Sequence, residues 1–202
     1  MSGYIQRLSL RRGKFGPAPR FSPEDAVRAL SLLSRRTGRA HLSRSLGIGE
    51  GTMRTILAHL TGQGLVKSAP MGAKLTKKGV RLLSKIKMKI PNTKDSGASR
   101  LTFGLPSNAA QLRGLDVSVS SLQLRDEMVR SGASGGVLLE FRGGDLILLP
   151  YHRRAQSDYA RELKRLESEF DFAEGDRLLV CFGGNKTTRE RALFRAASLL
   201  NV

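Results

Sequence analysis

The sequence predicts an α+β chain in two parts: a helical half carrying one β-hairpin, then a half in which strands and helices alternate around a small mixed α/β sheet. Three observations carry this expectation. Apolar residues recur at helical spacing through residues 21–90, interrupted by two short extended runs joined through Pro70-Met71-Gly72. A stretch rich in Pro, Gly, Ser and Asn, IPNTKDSGASRLTFGLP, covers residues 90–106. The charge changes at that stretch: residues 1–100 hold 21 Lys+Arg and 4 acids, and residues 101–202 hold 14 and 13. The formal total of +18 therefore sits almost wholly in the first half, at +17. The expected divisions are a basic arm over 1–20, a first domain over 21–90, a linker over 91–106 and a second domain over 107–202.

Each element follows from local chemistry. RLSLRRGKFGPAPRF reads as a basic arm that Pro17 and Pro19 keep from being helical. In SPEDAVRALSLLSRR, Ser22 suits an N-cap, Pro23 the first helical position, and Glu24 and Asp25 the first turn. Ala26, Ala29, Leu30 and Leu33 form its apolar stripe. RAHLSRSL is a second helix, with Leu42 and Leu46 inward and Gly47 as a left-handed stop. A third helix starts at Gly49 or Glu50 and sets Met53, Ile56, Leu57 and Leu60 on one face. Gly62 and Gly64 end it. LVKSAP and AKLT form the hairpin, and TKKGVRLLSKIK is a helix with Val80, Leu82, Leu83 and Ile86 apolar. Two short helices about a glycine turn make a helix-turn-helix, and the added hairpin makes it winged.

The second half reads β-α-β-β-α-β-α. NAAQLRGLDVSV is a strand, and SSLQLRDEMVRSG a helix capped by Ser120 or Ser121 and stopped by Gly132. GGVLLEF and DLILLP are strands joined at Arg142-Gly143-Gly144. SDYARELKRLESEF is a helix, DRLLVCF a strand and TTRERALFRAASLL the closing helix.

A positive field confined to one half points to a polyanion, most often nucleic acid. A generally basic protein would spread its charge over both halves. A helical protein-contact domain explains neither the charge nor a glycine-tipped hairpin flanked by Lys67 and Lys74. With the third helix's apolar face inward, its outer face carries Gly51, Thr55 and Ala58, flanked by Thr52, Arg54 and His59. Small residues let a helix sink into the major groove. Arg54 and Thr55 rank above His59 because base contacts come from the start of such a helix. Gly49-Glu50-Gly51 leaves backbone N–H groups for a phosphate. Lys67, Lys74, Lys77 and Lys78 surround the hairpin, where phosphates are the target. Arg7, Arg11, Arg12, Lys14 and Arg20 either track a groove or form a solvated tail. One short helix reads few base pairs, so two copies are expected.

Chemistry is sparsely represented. A single cysteine, Cys181, excludes an intrachain disulfide and a multi-cysteine zinc site. His41, His59 and His152 are isolated, so neither a metal nor any other cofactor is expected. No nucleophile-base or paired-carboxylate arrangement stands out, and the protein is not expected to be an enzyme. Arg125-Asp126 reads as a structural ion pair. FGGNKTT joins a strand to a helix, so Gly183, Gly184, Asn185, Lys186, Thr187 and Thr188 are a candidate ligand-binding turn. It lacks the GxxxxGK[ST] spacing, and a tight capped turn is the favoured reading. No apolar run reaches the roughly 18–20 residues that cross a bilayer. MSGYIQRLSLRRGK has no secretory character, so the expected location is the cytoplasm.

GPAPRFSPEDAVRAL, GRAHLSRSLGIGEGTMRTILAHL and LVKSAP…KLTKKG resemble the winged-helix half of an archaeal two-domain family. LRDEMVRSGASGGVLLEFRGGDLILLP and the GG…RALFRAASLL ending resemble that family's second half, a domain of unknown function. The resemblance covers nearly the whole chain. LGIGEGTMRTIL and KLTKKG recur across winged helices; their combination with the second half is more specific. It implies a transcriptional regulator, without a known operator or ligand. The expected partners are double-stranded DNA, a second copy as a homodimer, and a small-molecule effector sensed by the second half. Two alternatives stand beside this. One is a small-metabolite kinase or transferase with an attached DNA-binding domain, which needs GGNKTT as its nucleotide site. The other is a nucleic-acid-binding protein without sequence choice.

Overall fold

The computed structural model describes residues 3–9, 21–69, 71–114, 119–150 and 153–200, and the chain divides into two units, Met1–Ile86 and Lys87–Val202. In the first unit, Ser22 Oγ accepts the Asp25 N–H at 3.4 Å and the Asp25 carboxylate accepts the Ser22 N–H at 3.2 Å. With Pro23 in the first turn, this capping box fixes the start of α1 (Pro23–Leu32). Ala26, Ala29, Leu30 and Leu33 are buried, as their spacing predicts. So are three charged residues, Glu24, Asp25 and Arg28, which apolar patterning does not predict. Arg28 Nη1 donates to Asp25 at 3.1 Å, and Nη2 donates to the Leu46 carbonyl at 3.0 Å. Leu46 ends α2 (Arg39–Leu46), where carbonyls lack helical partners. One guanidinium thus neutralises a buried carboxylate and ties α1 to the end of α2.

Gly47, at φ 64°, then turns the chain, and the Ile48 N–H closes back on the Ser43 carbonyl at 3.1 Å. α3 (Glu50–Gly62) buries Met53, Ile56 and Leu60 and half-buries Leu57. β1 (Val66–Ala69) and β2 (Gly72–Leu75) pair antiparallel as the wing. Thr37, between α1 and α2, exchanges two 3.0 Å backbone hydrogen bonds with Ala73 and anchors the wing to the helices. Only glycine fits at Gly72, where a Cβ would stand 2.6 Å from the Thr37 carbonyl oxygen. α4 (Lys77–Lys89) is capped by Thr76, whose hydroxyl accepts the Gly79 N–H at 3.1 Å and donates to the Gly64 carbonyl at 2.7 Å.

Two expectations for this unit change. Val80 is exposed, and Gly79 takes the inward place beside Leu83 and Ile86. A Cβ at Gly79 would lie 2.1 Å from the Leu65 carbonyl oxygen, so close packing outweighs glycine's poor helix propensity. The beginning of the expected arm is docked. Gln6–Leu8 form a 3₁₀ turn, with Ile5 and Leu8 buried. Arg11, Arg12, Lys14, Pro17, Pro19, Arg20 and Pro70 lie outside the described residues.

The second unit is a five-stranded sheet in the order β3-β4-β7-β5-β6, built from β3 (Thr93–Asp95), β4 (Ser107–Leu112), β5 (Gly135–Arg142), β6 (Asp145–Leu149) and β7 (Arg177–Phe182). Every pairing is antiparallel, so the sheet is not mixed. A β-α-β order reads locally like a parallel crossover, but β7 inserts between β4 and β5. β3 and a 3₁₀ turn at Arg100–Thr102 fall within the stretch expected as a linker. α7 (Ala160–Glu169) is the expected helix, and a separate short helix, α6 (Arg153–Asp158), precedes it where none was expected. Leu163 and Leu166 of α7 pack with Leu139, Leu146, Leu178 and Val180 on one face of the sheet. Strand alternation points Leu138, Leu179 and Cys181 to the other face, which α5 (Ser121–Arg130) and α8 (Lys186–Ser198) cover. Among the described residues no helix is long and apolar enough to cross a membrane.

Asp176 closes one end of this sheet. It accepts Gln111 Nε2 and Arg113 Nη2, each at 2.8 Å, and the Ala173 N–H at 3.0 Å. Burial pushes its carboxyl up, but these donors outweigh burial and hold its pKa below the ordinary carboxylate value.

Arg28→Leu removes the buried ion pair with Asp25 and the bond to the Leu46 carbonyl, and urea unfolding is expected to show a loss of about 3 kcal/mol or more in the first unit. The stability that Asp176 contributes is complete above the ordinary carboxylate range and is lost as pH falls through its lowered folded value. The urea midpoint of the second unit should therefore drop with acid, and Asp176→Asn should flatten that dependence.

Candidate nucleic-acid interface

The outer face of α3 is bare. Gly51, Arg54, Thr55 and Ala58 are exposed, and Thr52 is half-buried. The Arg54 side chain has no hydrogen bond or ion pair among the described residues. The Thr55 hydroxyl donates back to the Gly51 carbonyl at 3.2 Å, and its lone pairs remain available. Gly49 stands at the N-cap, so no side chain covers the first amide N–H groups. A Cβ at Gly49 or Gly51 would meet nothing within 4 Å, and neither glycine has a positive φ. The fold does not require glycine at these two positions, whereas close approach from outside would. Gly49, Gly51, Thr52, Thr55 and Phe21 line a depression of about 340 Å³ at this helix end.

Charge around this face is one-sided. Residues 1–86 contain three acids, Glu24, Asp25 and Glu50. The first two are buried. Glu50, exposed in the first turn of α3, lies 3.5 Å from Arg39 Nη2. On the wing, Lys67 stands directly opposite Lys74, and neither side chain has a partner among the described residues. Like charges opposite one another in an antiparallel pair destabilise it, by up to about 1 kcal/mol. Lys77 and Lys78 open α4, at the positive end of its dipole. Lys77 is unpartnered among the described residues, whereas Lys78 Nζ donates to the Gln63 carbonyl at 2.8 Å and closes the end of α3. Met71, at φ 65°, is 92% exposed at the wing tip.

His59 is occupied within the unit. Its Nε2 lies 3.1 Å from the Leu8 carbonyl and 3.1 Å from Gln63 Nε2, and its ring tilts against Phe21 at 5.7 Å. It holds the 3₁₀ turn to α3, a contact between distant residues that helical spacing does not reveal. Arg11 and Arg12 lie outside the described residues.

In the second unit, Gly183 and Gly184 have φ of 78° and 66°. A Cβ at Gly183 would fall 2.0 Å from Ser134 Oγ. Asn185 Oδ1 accepts the Thr188 N–H at 2.8 Å and so fills the helix N-terminus. Buried Arg189 donates to the Gly184 carbonyl at 2.7 Å and to Asn108 at 2.7 Å. Lys186 points to solvent, 3.9 Å from Glu190. Turn, cap and packing account for the glycines. Burial pushes the Cys181 thiol up to about 12, so it stays protonated at neutral pH. Among the described residues, no group of three or more His, Cys, Asp or Glu could hold a metal ion.

Gly72→Ala should break the Thr37–Ala73 bridge and loosen the wing. Amide exchange at Thr37 and Ala73 is expected to accelerate while that of α3 core positions such as Ile56 stays slow; unchanged rates at Thr37 and Ala73 would contradict this anchoring.

Two family models match the chain. The PH0730-like N-terminal domain matches residues 22–81, and a domain of unknown function, DUF4443, matches residues 107–200. No curated protein matches it. Among solved structures, the hypothetical protein PH0730 from Pyrococcus horikoshii OT3 is 23% identical over 89% of this chain and 92% of that chain, with a TM-score of 0.74. This is a likeness of fold. An IclR transcriptional regulator from Alicyclobacillus acidocaldarius is 14% identical over 88% of this chain and 95% of that one, at a TM-score of 0.33, too low to support any inference. The chain therefore joins a segment similar to the PH0730-like N-terminal domain to a segment similar to DUF4443, in a fold like that of PH0730.

Proposed function

We propose that the protein is a transcriptional regulator that binds double-stranded DNA through its first unit. α3 enters the major groove, and the wing lies on the phosphate backbone. The observation that carries this reading is the Lys67–Lys74 pair: two cations face each other across a two-stranded hairpin, and among the described residues no acid pairs with either. The pair weakens the free wing and is explained once a polyanion lies across it. The open amides of Gly51 and Thr52 offer a second place for a phosphate. On the outer face of α3, Arg54 is the long side chain suited to a guanine edge. Thr52, Thr55 and Ala58 are short, so each copy discriminates modestly between sequences, and affinity comes chiefly from charge.

Binding to a native promoter fragment should fall steeply as salt rises, and Lys67→Gln or Lys74→Gln should each lower the slope of log affinity against log salt by about 1. A flat salt dependence would overturn the reading. Arg54→Ala should reduce specific binding by about 1–3 kcal/mol and non-specific binding by less. Equal losses would make Arg54 a phosphate contact. Equal affinity of the wild type for promoter and random DNA would leave a nucleic-acid-binding protein without sequence choice.

A further inference from the structure

Among its described residues, the second unit leaves an apolar face uncovered. Leu101, Phe103, Leu105, Val129, Val137 and Leu148 line a groove of about 740 Å³. A second hollow of about 410 Å³ continues it past Leu122 to Leu149. Arg125, Gly136, Val137 and Leu148 border both, so the two form one channel beside α5. The apolar side chains at its rim protrude: Phe103 is 76% exposed, Leu122 54% and Val129 46%. Phe103 also sits at φ 53°, a conformation that costs an aromatic residue energy. A small molecule lying in the channel would leave these rim residues in water, whereas a protein surface would cover them.

α5 shows which protein surface fits. Leu122 and Val129 are two turns apart on one face of the helix, with Asp126 between them and Arg125 at its edge. Leu124 and Met128 occupy the opposite, buried face. The other charges of α5 are engaged locally: Glu127 holds Arg195 of α8 at 2.9 Å and Arg130 at 3.3 Å. Arg125 and Asp126 are 3.1 Å apart, and both are substantially exposed. Two copies of this helix set antiparallel about a two-fold axis place Arg125 of each opposite Asp126 of the other. The same register places Leu122 of each opposite Val129 of the other. One arrangement thus satisfies both the charges and the apolar pair, as an isologous contact requires.

We propose that this face is the homodimer interface of the protein, with α5 packed against α5 of a second copy. This extends the reading of a regulator that acts as two copies, and its test does not depend on DNA. Light scattering across a dilution series should give a mass near twice the 22.1 kDa of one chain. Arg125→Asp and Asp126→Arg, each alone, should shift the protein to monomer at concentrations where the wild type is dimeric. The double variant Arg125→Asp/Asp126→Arg should restore the dimer. Val129→Asp should also give monomer. Leu122, Arg125 and Val129 are exposed and Asp126 is half-buried, and unchanged circular dichroism and Tm check that the variants fold. A wild type that stays monomeric, or a dimer indifferent to these changes, overturns the proposal. A monomer whose channel takes up a fluorescent apolar dye, with uptake lost in Val129→Asp, overturns it in favour of a ligand groove. DNA binding that persists in monomeric variants leaves the function of the first unit standing.

Discussion

The first unit is organised around a buried guanidinium. Arg28 lies inside α1 with its charge met by Asp25 and its second amino group on the Leu46 carbonyl. Removing these charges from water is costly, and the cost is offset only when both bonds form. That condition ties the cap of α1, where Asp25 also accepts the Ser22 N–H, to the last turn of α2. The Gly47 turn begins at that point, so the direction in which α3 leaves is set by a charged contact with defined geometry as well as by apolar packing. Thr37 and Gly72 do the same for the wing, with two backbone hydrogen bonds and a close approach that only glycine permits.

The fold also sorts charge. Two of the three acids of residues 1–86 are buried, and the third stands beside Arg39. Among the described residues, the exposed cations Arg54, Lys67 and Lys77 make no hydrogen bond or ion pair. Opposed lysines on a short hairpin and lysines at a helix N-terminus both lower the stability of the free protein. Such features fit a surface meant for an anion. The bare start of α3 fits the same purpose, since its glycines answer no internal contact. In the second unit the charges are mostly paired, and the uncovered surface is apolar. The two units therefore differ in the kind of partner that each can accept.

Local chemistry made much of this legible. Ser22, Pro23 and Asp25 announce α1, Gly47 ends α2, and Met71 and Gly72, both at positive φ, turn the chain into the second wing strand, because each acts on residues within a few positions. What stayed hidden depends on distant partners. Gly79 takes the inward place and Val80 is turned out to solvent, because the Leu65 carbonyl lies against Gly79. His59 resembles an outward reader by spacing, yet the Leu8 carbonyl, 51 positions away, holds it. The antiparallel sheet was hidden because strand order does not follow chain order. GGNKTT reads as a tight capped turn before it reads as an anion cradle, because its cap is local: Asn185 accepts the Thr188 N–H, while the Arg189 bond to the Gly184 carbonyl also braces the turn. The apolar channel gathers residues from around positions 101–105, 122–137 and 148, and no single window contains its pattern.

The central claim is that α3 and the wing together form one surface for duplex DNA. Backbone amide shifts recorded while a promoter duplex is added test it most directly. The account predicts that the largest changes fall at Gly51, Thr52, Arg54 and Thr55 and at Lys67, Met71 and Lys74, with the core of the five-stranded sheet unaffected. Changes confined to the second unit, or spread evenly over the basic surface with α3 silent, would contradict it.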